Sequence, residues 1–354
     1  MVTEEEIRKA LEEVKYPGFT RNIVSFGMVK KIGIEDSTVD LVLGLTTSDK
    51  TVTERIRLDV EAALRKVSGI KTVNLTIHLQ NPQIPAQGPG QQAGIPGVRH
   101  AVAVASGKGG VGKSTVSVNL AIALQQSGAR VGLLDCDVYG PSIPMMMGVH
   151  QKPGIAGDKL EPLSNFGIRL MSMGFLVDED SPVIWRGPMI MKTVQQFSRN
   201  VNWGKLDYLI IDLPPGTGDT QLSLCQTLPL SGAVMVTTPQ EVALIDVRKA
   251  AAMFRKVNVP ILGIVENMST FICPSDQKRY DIFGAGGGRR EAERTGVPFL
   301  GEIPITMEIR QGGDQGLPVM VAAPESIPGK AFAGVAQALR RQLEGDSGSR
   351  AGFS

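Results

Sequence analysis

The sequence has few cysteines and no long apolar run. Its 354 residues include three cysteines, an odd number without a disulfide framework, so a reducing cytoplasm is the expected compartment. No uninterrupted apolar stretch approaches the roughly 18–20 residues of a membrane span. The first ten residues, MVTEEEIRKA, are acidic and then helical, unlike a signal or transit peptide. We therefore expect a cytoplasmic protein with no membrane partner.

The sequence also lacks an excess of charge of either sign. Its 37 basic and 35 acidic residues leave a net charge of +2, so no overall field favours nucleic acid or an anionic membrane. Hydrophobic residues make up 42% of the chain and charged residues 20%, which is enough to bury at least one large core. The length suggests two domains, and no nucleic-acid partner is expected.

Residues 1–80 predict a small α+β domain. Thr3 and Glu6 have the spacing of a helix capping box. Apolar residues then indicate the order helix, strand, strand, helix, strand, with strict alternation in the strands that contain Val39 and Val73. The segment contains no cysteine and one histidine, so a docking role is favoured over an active role, although both stay open.

Residues 81–97 are rich in Pro, Gly and Gln and have the composition of a linker. From residue 98 to residue 344, apolar strand-like runs alternate with helical patterns, which predicts an α/β domain with a doubly wound, mostly parallel sheet. Residues 345–354 are small and polar, and we expect a disordered tail. The predicted strands are Ala101–Ala105, Arg130–Asp135, Ile168–Met171, Tyr208–Asp212, Ala233–Thr237, Ile261–Glu266 and Phe299–Gly301, and the predicted helices are Lys113–Gln126, Glu241–Val257, Gly288–Thr295 and Pro328–Leu343.

The segment AVAVASGKGGVGKST, residues 101–115, contains a phosphate-binding loop pattern. Gly107, Gly112, Lys113 and Ser114 fit G-x-x-x-x-G-K-[ST] between a strand and a helix. Glycines allow backbone N–H groups to turn towards phosphate oxygens, and the helix presents its positive end to the anion. Lys113 would reach the β- and γ-phosphates and Ser114 would bind Mg²⁺. A glycine-rich surface turn is the alternative, but the flanking strand and helix favour nucleotide binding.

Carboxylates follow two apolar strands of this domain. Asp135 and Asp137 follow one strand, and Asp212 ends another. In a chain with a phosphate loop, such a carboxylate is the expected outer-sphere ligand of Mg²⁺, and we assign this role to Asp212. A turn or helix-capping role is the alternative, above all for Asp137.

Lys108 is not explained by a plain phosphate loop. It lies one residue after Gly107, where its side chain need not face its own nucleotide. It is either a solvated lysine or a cation that completes a site on a partner chain, in the manner of an arginine finger.

These motifs together resemble the deviant-Walker ATPases, the superclass of MinD, ParA, the arsenite-pump ATPases and the nitrogenase iron protein. GKGGVGKST carries the two lysines of that group, Lys108 and Lys113. The sequence is more similar to the Mrp-type, ApbC-like iron–sulfur cluster carriers. The segments that carry this similarity are DCDVYGPS (135–142), WRGPM (185–189), DLPPGTGD (212–219), TTPQEVAL (237–244), ENMS (266–269) and, in the small domain, the assembly-domain-like YPGFTRNIVSFGMVK (16–30).

The resemblance implies an ATPase that sandwiches ATP in a homodimer, hydrolyses it slowly, and passes a 4Fe–4S cluster from scaffolds to apoproteins. It implies that Lys108 acts across the dimer and with Lys113 serves catalysis, that Asp137 orients the attacking water, and that Ser114 and Asp212 serve Mg²⁺. Asn267 would hydrogen-bond the adenine. The implied nucleotide-binding residues are Gly107, Lys108, Gly109, Gly110, Val111, Gly112, Lys113, Ser114, Thr115 and Asn267.

The implied cluster motif departs from the family pattern. Many members have Cys-x-x-Cys after ENMS, whereas this chain has CPSD, with Cys273 alone and Asp276 in the second position. One thiolate per chain supplies two of the four ligands of a 4Fe–4S cluster in a dimer. Asp276 as an oxygen ligand, a cluster held elsewhere, and loss of the cluster all stay open. Cys136 and Cys225 are expected to be buried small hydrophobes.

The leading hypothesis is therefore an ATP-dependent iron–sulfur cluster carrier. The alternatives are a switch ATPase of the MinD or ParA kind and an ATP-dependent scaffold without cluster transfer. A switch that acts on a surface would need an amphipathic basic helix or a basic patch, and the C-terminal EGDSGSRAGFS is neither.

Overall fold

The chain divides into two units between residues 90 and 91 in the computed structural model. The structure describes residues 3–14, 23–24, 28–35, 37–45, 50–67, 69–70, 72–79, 94–176, 187–276 and 278–349. The division falls within the segment predicted as a linker, of which only residues 94–97 are described.

The N-terminal unit has the predicted order of helices and strands. Its elements are α1 (Glu4–Leu11), β1 (Val29–Glu35), β2 (Thr38–Leu45), α2 (Lys50–Leu64) and β3 (Thr72–Leu79). The sheet has the order β1-β2-β3, with β1 antiparallel to β2 and β2 parallel to β3. Before α1, the Oγ1 atom of Thr3 accepts the N–H of Glu6 at 3.3 Å, and the Glu6 carboxylate accepts the N–H of Thr3 at 2.9 Å. The predicted capping box is thus confirmed.

The core of this unit lies between the sheet and the two helices. Val39, Leu41 and Leu43 alternate along β2 and are at most 1% exposed, as period-two burial of a strand requires. They pack with buried side chains of α1 and α2, which are Ile7, Leu11, Ile56, Val60 and Leu64.

The larger unit contains the remaining elements of the chain. In chain order they are β4 (Val98–Ala105), α3 (Lys113–Gln126), β5 (Val131–Asp135), α4 (Ile143–Met146), β6 (Ile155–Ala156), β7 (Lys159–Leu160), β8 (Leu163–Asn165), β9 (Ile168–Ser172), α5 (Gly187–Arg199), β10 (Leu206–Asp212), α6 (Asp219–Thr227), β11 (Gly232–Thr237), α7 (Glu241–Lys256), β12 (Ile261–Glu266), β13 (Phe271–Ile272), β14 (Arg279–Tyr280), α8 (Gly287–Thr295), β15 (Phe299–Glu302), α9 (Met307–Asp314), α10 (Val319–Ala322) and α11 (Ile327–Ser349).

Eight of these strands form one sheet in the order β15-β12-β11-β4-β10-β5-β9-β8. All neighbours are parallel except β8, which pairs antiparallel with β9 at the edge. β4 lies between β10 and β11, so the strand order reverses there and the carboxyl ends of β4, β10 and β5 meet at a topological switch point. The predicted doubly wound, mostly parallel sheet is confirmed.

Burial in the sheet follows from its coverage by helices. Every residue of β11 and the last five residues of β4 are buried, as expected for parallel strands with both faces covered. Within the described residues, no helix has both the length and the apolar character needed to cross a membrane.

The C-terminal helix is longer than the sequence predicted. α11 continues to Ser349, five residues into the segment predicted as a disordered tail, and residues 350–354 lie outside the described residues. Leu343 is the last described side chain of α11 in the hydrophobic core. The correction arises because elongation of a helix adds one backbone hydrogen bond per residue, which small and polar residues form as well as apolar ones.

Candidate functional site

The glycine-rich loop joins Ala105 at the end of β4 to Lys113 at the start of α3. Gly110 and Gly112 both have a φ of 81°, a left-handed conformation that residues with a side chain rarely adopt. Gly112 is the N-cap of α3, and no side chain caps this helix. The first N–H groups of α3 are therefore available to donate to an anion.

Gly107 lies directly against α7. A Cβ atom built on Gly107 would overlap the backbone carbonyl group of Asp246. We expect Gly107→Ala to lower the free energy of unfolding of the larger unit by about 1–3 kcal/mol, because loop or helix must move to relieve this overpacking. Gly109→Ala is the matched control, since a Cβ there would meet no heavy atom within 4 Å among the described residues.

Tryptophan fluorescence during urea denaturation measures this effect on the larger unit alone, because both tryptophans, Trp185 and Trp203, belong to that unit. Equal stability of the Gly107→Ala and Gly109→Ala proteins would contradict the predicted contact with α7.

The buried carboxylate of Asp212 connects the end of β10 to the start of α3. Its Oδ2 atom accepts hydrogen bonds from the Lys113 ammonium at 2.6 Å and from the Ser114 hydroxyl at 2.7 Å. Its Oδ1 atom accepts the Ser117 hydroxyl at 2.6 Å. Asp212 is 0% exposed and Lys113 is 6% exposed, so this ion pair is shielded from water and its attraction is strong. The two residues predicted to serve Mg²⁺, Ser114 and Asp212, are thus in direct contact.

Asp137, two residues after β5, faces the same lysine. Its Oδ2 atom lies 3.7 Å from the Lys113 Nζ atom, and its side chain is mostly buried. Burial raises the pKa of Asp137, the Lys113 ammonium opposes this rise, and the charge of Asp212 adds to it. A carboxylate with a raised pKa is a better proton acceptor than an ordinary aspartate. This position is compatible with the predicted role of orienting a water.

Asp135, the last residue of β5, is a further buried carboxyl group in the site. It is the register partner of Asp212 on the neighbouring strand. It accepts the Ser172 hydroxyl at 2.8 Å and the N–H of Asp137 at 3.0 Å. Burial, together with the charge of Asp212, raises the pKa of Asp135 from 3.8 to about 7.

We expect Asp135 to make the larger unit less stable as the pH rises from about 4 to about 7. In this window the folded chain keeps a proton on Asp135 that the unfolded chain releases. The contribution of Asp135 to the free energy of unfolding therefore falls by about 1.4 kcal/mol for each unit of pH increase. Asp135→Asn removes this contribution, so its stability relative to wild type should rise over the same window. Urea denaturation followed by tryptophan fluorescence at about pH 5 and about pH 7 measures the difference, and an identical pH dependence of the two proteins would contradict the prediction.

A cleft of about 510 Å³ opens above the glycine-rich loop. Lys113, Ser114 and Asp137 are among its polar lining residues. Apolar side chains also line it, including Met145, Met268, Pro304, Ile305 and Ile309. The volume lies within the range of small-molecule sites, and a lining that combines residues of the phosphate loop with apolar side chains suits a nucleotide.

Asn267 also lines this cleft. Its Nδ2 atom donates to the carbonyl oxygen of Val111 at 2.8 Å, and the side chain is 4% exposed. A Cβ on Gly112 would overlap this amide, so the glycine is required on that side as well. The structure thus assigns Asn267 a contact with the phosphate loop, and its contact with adenine stays a prediction.

Lys108 is exposed at the surface of the loop. Its carbonyl oxygen accepts the Ser106 hydroxyl at 2.9 Å, but within the described parts of the chain its side chain forms no ion pair. Lys113, by contrast, is buried against Asp212 and Asp137. The two lysines of the loop therefore have different environments, and only Lys108 is free to reach another molecule.

Cys273 lies on a short hairpin formed by β13 and β14. Its Sγ atom is 3.0 Å from the Ser275 hydroxyl, and its N–H donates to the carbonyl oxygen of Lys278 at 3.0 Å. Asp276 is exposed in the same loop, and hydrogen bonds from the Lys278 N–H and the Tyr280 hydroxyl lower its pKa. No group of three or more metal-ligating side chains occurs among the described residues, so the structure brings only one thiol of this chain to this position.

The other two cysteines are buried, as predicted. Cys136 is 0% exposed, and burial raises the pKa of its thiol well above the usual value. Cys225 is 3% exposed, and burial raises its pKa to about 12. Both thiols therefore stay protonated at neutral pH and are poor ligands for iron.

The sequence pattern does not identify Ser117 as a site residue, and it assigns Asp135 no role in the site. Ser117 follows Ser114 by three residues, a spacing that places both hydroxyls on one face of α3 and was available as a signal. The position of Asp135 beside Asp212 depends on the register of two strands far apart in sequence, and no local pattern predicts it.

Comparisons with known proteins agree with this geometry. Residues 97–340 match the profile of the NUBPL iron-transfer P-loop NTPases, and residues 4–77 match that of the iron–sulfur cluster assembly proteins. A Synechocystis protein named iron–sulfur cluster carrier protein is 45% identical over 345 residues, which cover 96% of this chain and 97% of that protein.

Two solved structures show the same fold in the larger unit. The nucleotide-binding protein of Archaeoglobus fulgidus, solved in complex with ADP, is 41% identical with a TM-score of 0.56 and covers 62% of this chain and 87% of its own. The cell division ATPase MinD of Pyrococcus furiosus has a TM-score of 0.54 at 24% identity and covers 69% of this chain and 99% of its own. The second similarity concerns the fold alone.

Proposed function

This chain belongs to the NUBPL iron-transfer P-loop NTPase family, and from that premise we propose that it is an ATP-dependent carrier that binds an iron–sulfur cluster as cargo and passes it to apoproteins. The cargo is the substrate of this function, and ATP is the ligand that controls its release. The alternatives of a surface switch and of a scaffold without transfer receive no support from a particular observation.

The residues of the cleft fit a magnesium nucleotide. Ser114 and Asp212 offer the oxygen donors that Mg²⁺ prefers, and they are 2.7 Å apart beside the glycine-rich loop. They would hold the metal, while Lys113 and the N–H groups at the start of α3 would bind the phosphates. When bound, Mg²⁺ would neutralise charge that develops on the phosphates during hydrolysis.

Hydrolysis divides among three side chains in this proposal. Lys113 exchanges its contact with Asp212 for the phosphates, and Asp137, 3.7 Å from Lys113, orients the attacking water. Lys108 reaches the nucleotide of a second copy of this chain, because its exposed side chain has no ion pair within the described part of its own chain. The functional form in this proposal is therefore a homodimer.

The observation that carries the cargo role is the short path from the nucleotide cleft to Cys273. Five residues separate Asn267 in the cleft from Cys273 on the hairpin. Along this path the N–H of Ser269 donates to the carbonyl oxygen of Ile303 at 3.0 Å. The N–H of Ile305 in turn donates to the carbonyl oxygen of Thr270 at 2.7 Å. Because Ile305 also lines the cleft, occupancy of the cleft can influence the position of the hairpin.

Cluster binding in this proposal uses Cys273 from each of two chains. Two thiolates leave two ligand positions of a 4Fe–4S cluster to other donors, and Asp276 is an ionised oxygen donor in the same loop. Cys273 must remain reduced for this role, which agrees with a cytoplasmic location.

Transfer of a reconstituted cluster to an apo-acceptor tests this function. The protein is loaded anaerobically with iron and sulfide, desalted, and mixed with an apoenzyme whose activity requires a 4Fe–4S cluster. We expect recovery of acceptor activity at a rate that differs between ATP and ADP. A loaded protein that activates no acceptor in either nucleotide state would contradict the carrier function.

A further inference from the structure

Asp212 accepts a hydrogen bond from Ser117, and this bond would remain in place when a magnesium nucleotide is bound. Asp212 accepts three side-chain donors, from Lys113, Ser114 and Ser117. The phosphate-loop motif directs the first two towards phosphate and metal. Ser117 lies outside this motif, almost one turn further along α3.

The geometry separates the two oxygens of the Asp212 carboxylate. Lys113 and Ser114 both donate to Oδ2, at 2.6 and 2.7 Å, whereas Ser117 alone donates to Oδ1, at 2.6 Å. The Ser117 Oγ atom also lies 3.1 Å from the carbonyl oxygen of Lys113, so it is fixed against the backbone of α3. Both Ser117 and Asp212 are 0% exposed, so bulk water cannot replace this hydroxyl.

We propose that Ser117 is a positioning residue of the magnesium site, which holds Oδ1 of Asp212 so that Oδ2 faces Ser114. The inference rests on the proposed nucleotide function and does not depend on cluster binding. Its physical basis is that a buried carboxylate oxygen without a donor is unfavourable. Without Ser117, Oδ1 would turn towards Lys113 or Ser114, and the orientation of the carboxylate would no longer be unique.

The carboxyl group of Asp135 makes this orientation more important. Asp135 is the register partner of Asp212, and its own donors are the Ser172 hydroxyl and the N–H of Asp137. It therefore offers no contact that replaces Ser117 among the described hydrogen bonds. Ser117 does not line the cleft, and it holds Asp212 from almost one turn further along α3 than Ser114, which does line it.

Mn²⁺ binding in the presence of ADP tests the proposal without measuring activity. Electron paramagnetic resonance of free Mn²⁺ gives the metal affinity of the full chain. We expect Ser117→Ala to weaken Mn²⁺ binding about 10–100-fold, as is typical for loss of a group that orients a metal ligand. ADP affinity in EDTA should be unchanged. The Ser117 side chain contacts Asp212 and the backbone carbonyl oxygen of Lys113, and neither group is predicted to bind phosphate.

Two further variants separate positioning from a structural role. Ser117→Thr keeps the hydroxyl and should restore Mn²⁺ affinity. Ser198→Ala removes another buried hydroxyl, whose contact is the carbonyl oxygen of Gln195, and it should leave Mn²⁺ affinity at the wild-type value. Urea denaturation confirms that each variant is folded before titration.

Two results would overturn the proposal. Wild-type Mn²⁺ affinity in Ser117→Ala would show that Oδ1 needs no donor. An equal loss of Mn²⁺ affinity and metal-free ADP affinity would show that the hydroxyl only supports the loop. If wild type itself binds neither ADP nor Mn²⁺, the proposed nucleotide function fails instead, and the two failures are thus distinguished.

Discussion

Replacing Lys108 with alanine is expected to slow ATP hydrolysis by about 10³-fold or more and to change ATP binding little. This is the effect of removing a cation that a partner supplies to a phosphoryl-transfer site. Lys108 is exposed and forms no ion pair within the described residues, whereas Lys113 is buried against Asp212. Among the described residues, replacement of Lys108 therefore breaks no ion pair of its own chain. Single-turnover hydrolysis and equilibrium binding of ATP separate the two quantities.

Mixing two inactive variants tests whether Lys108 acts across the dimer. In a mixed dimer of Lys108→Ala and Lys113→Ala chains, the first chain contributes an intact Lys113 and the second an intact Lys108 to the same site. If half of the dimers are mixed and each has one of two sites complete, about a quarter of the wild-type rate should return. Differently tagged chains verify that mixed dimers form.

If no ATP hydrolysis returns in the mixture, the role of Lys108 across the dimer is contradicted. A lysine that acts within its own chain cannot be complemented by a second chain in this way. Lys256→Ala is the matched control for loss of an exposed lysine, since Lys256 lies in the last turn of α7. Hydrolysis by this variant should equal that of wild type.

The phosphate loop and its flanking elements could be predicted from the sequence because their determinants are local. α3 begins at Lys113 and ends at Gln126, as predicted, since glycines precede the helix and its apolar residues follow helical spacing. β12, Ile261–Glu266, also has the predicted bounds because a continuous apolar run is bounded by polar and Pro residues.

Several helices could not be predicted because their formation depends on tertiary contacts. α5 begins with Gly187, where a Gly-Pro pair indicates a turn. α6 has nine residues directly after a Pro- and Gly-rich loop, too few to show a clear period. α9 contains two glycines, and one of them, Gly312, packs so closely against Leu317 that a Cβ would stand 2.5 Å from its carbonyl oxygen.

The positions of the site residues could be predicted better than their contacts. The sequence indicated that Asp212 lies at the end of a strand near the loop, and the structure places it against Lys113 and Ser114. The contact of Asn267 with Val111 and the register of Asp135 beside Asp212 involve residues more than 70 positions apart. Such contacts depend on the folded sheet, and no spacing in the sequence encodes them.

Replacing Cys273 with alanine is expected to abolish cluster binding. Cys273 is partly exposed on its hairpin, whereas the other two thiols, Cys136 and Cys225, are buried and protonated. Iron binds the thiolate and not the thiol, so the buried cysteines cannot substitute for Cys273. Cys225→Ala is the matched control, because it removes one thiol of the same chain without changing the hairpin.

Anaerobic iron and sulfide analysis of these proteins tests the carrier function most directly. After reconstitution and desalting, we predict about two iron and two sulfide ions per chain in wild type and Cys225→Ala, which corresponds to one 4Fe–4S cluster per dimer. Cys273→Ala should retain neither ion and should lack the thiolate-to-iron absorbance band. A wild-type protein that retains no iron would contradict the carrier function. A Cys273→Ala protein that retains as much iron as wild type would contradict the assignment of Cys273 as the cluster site.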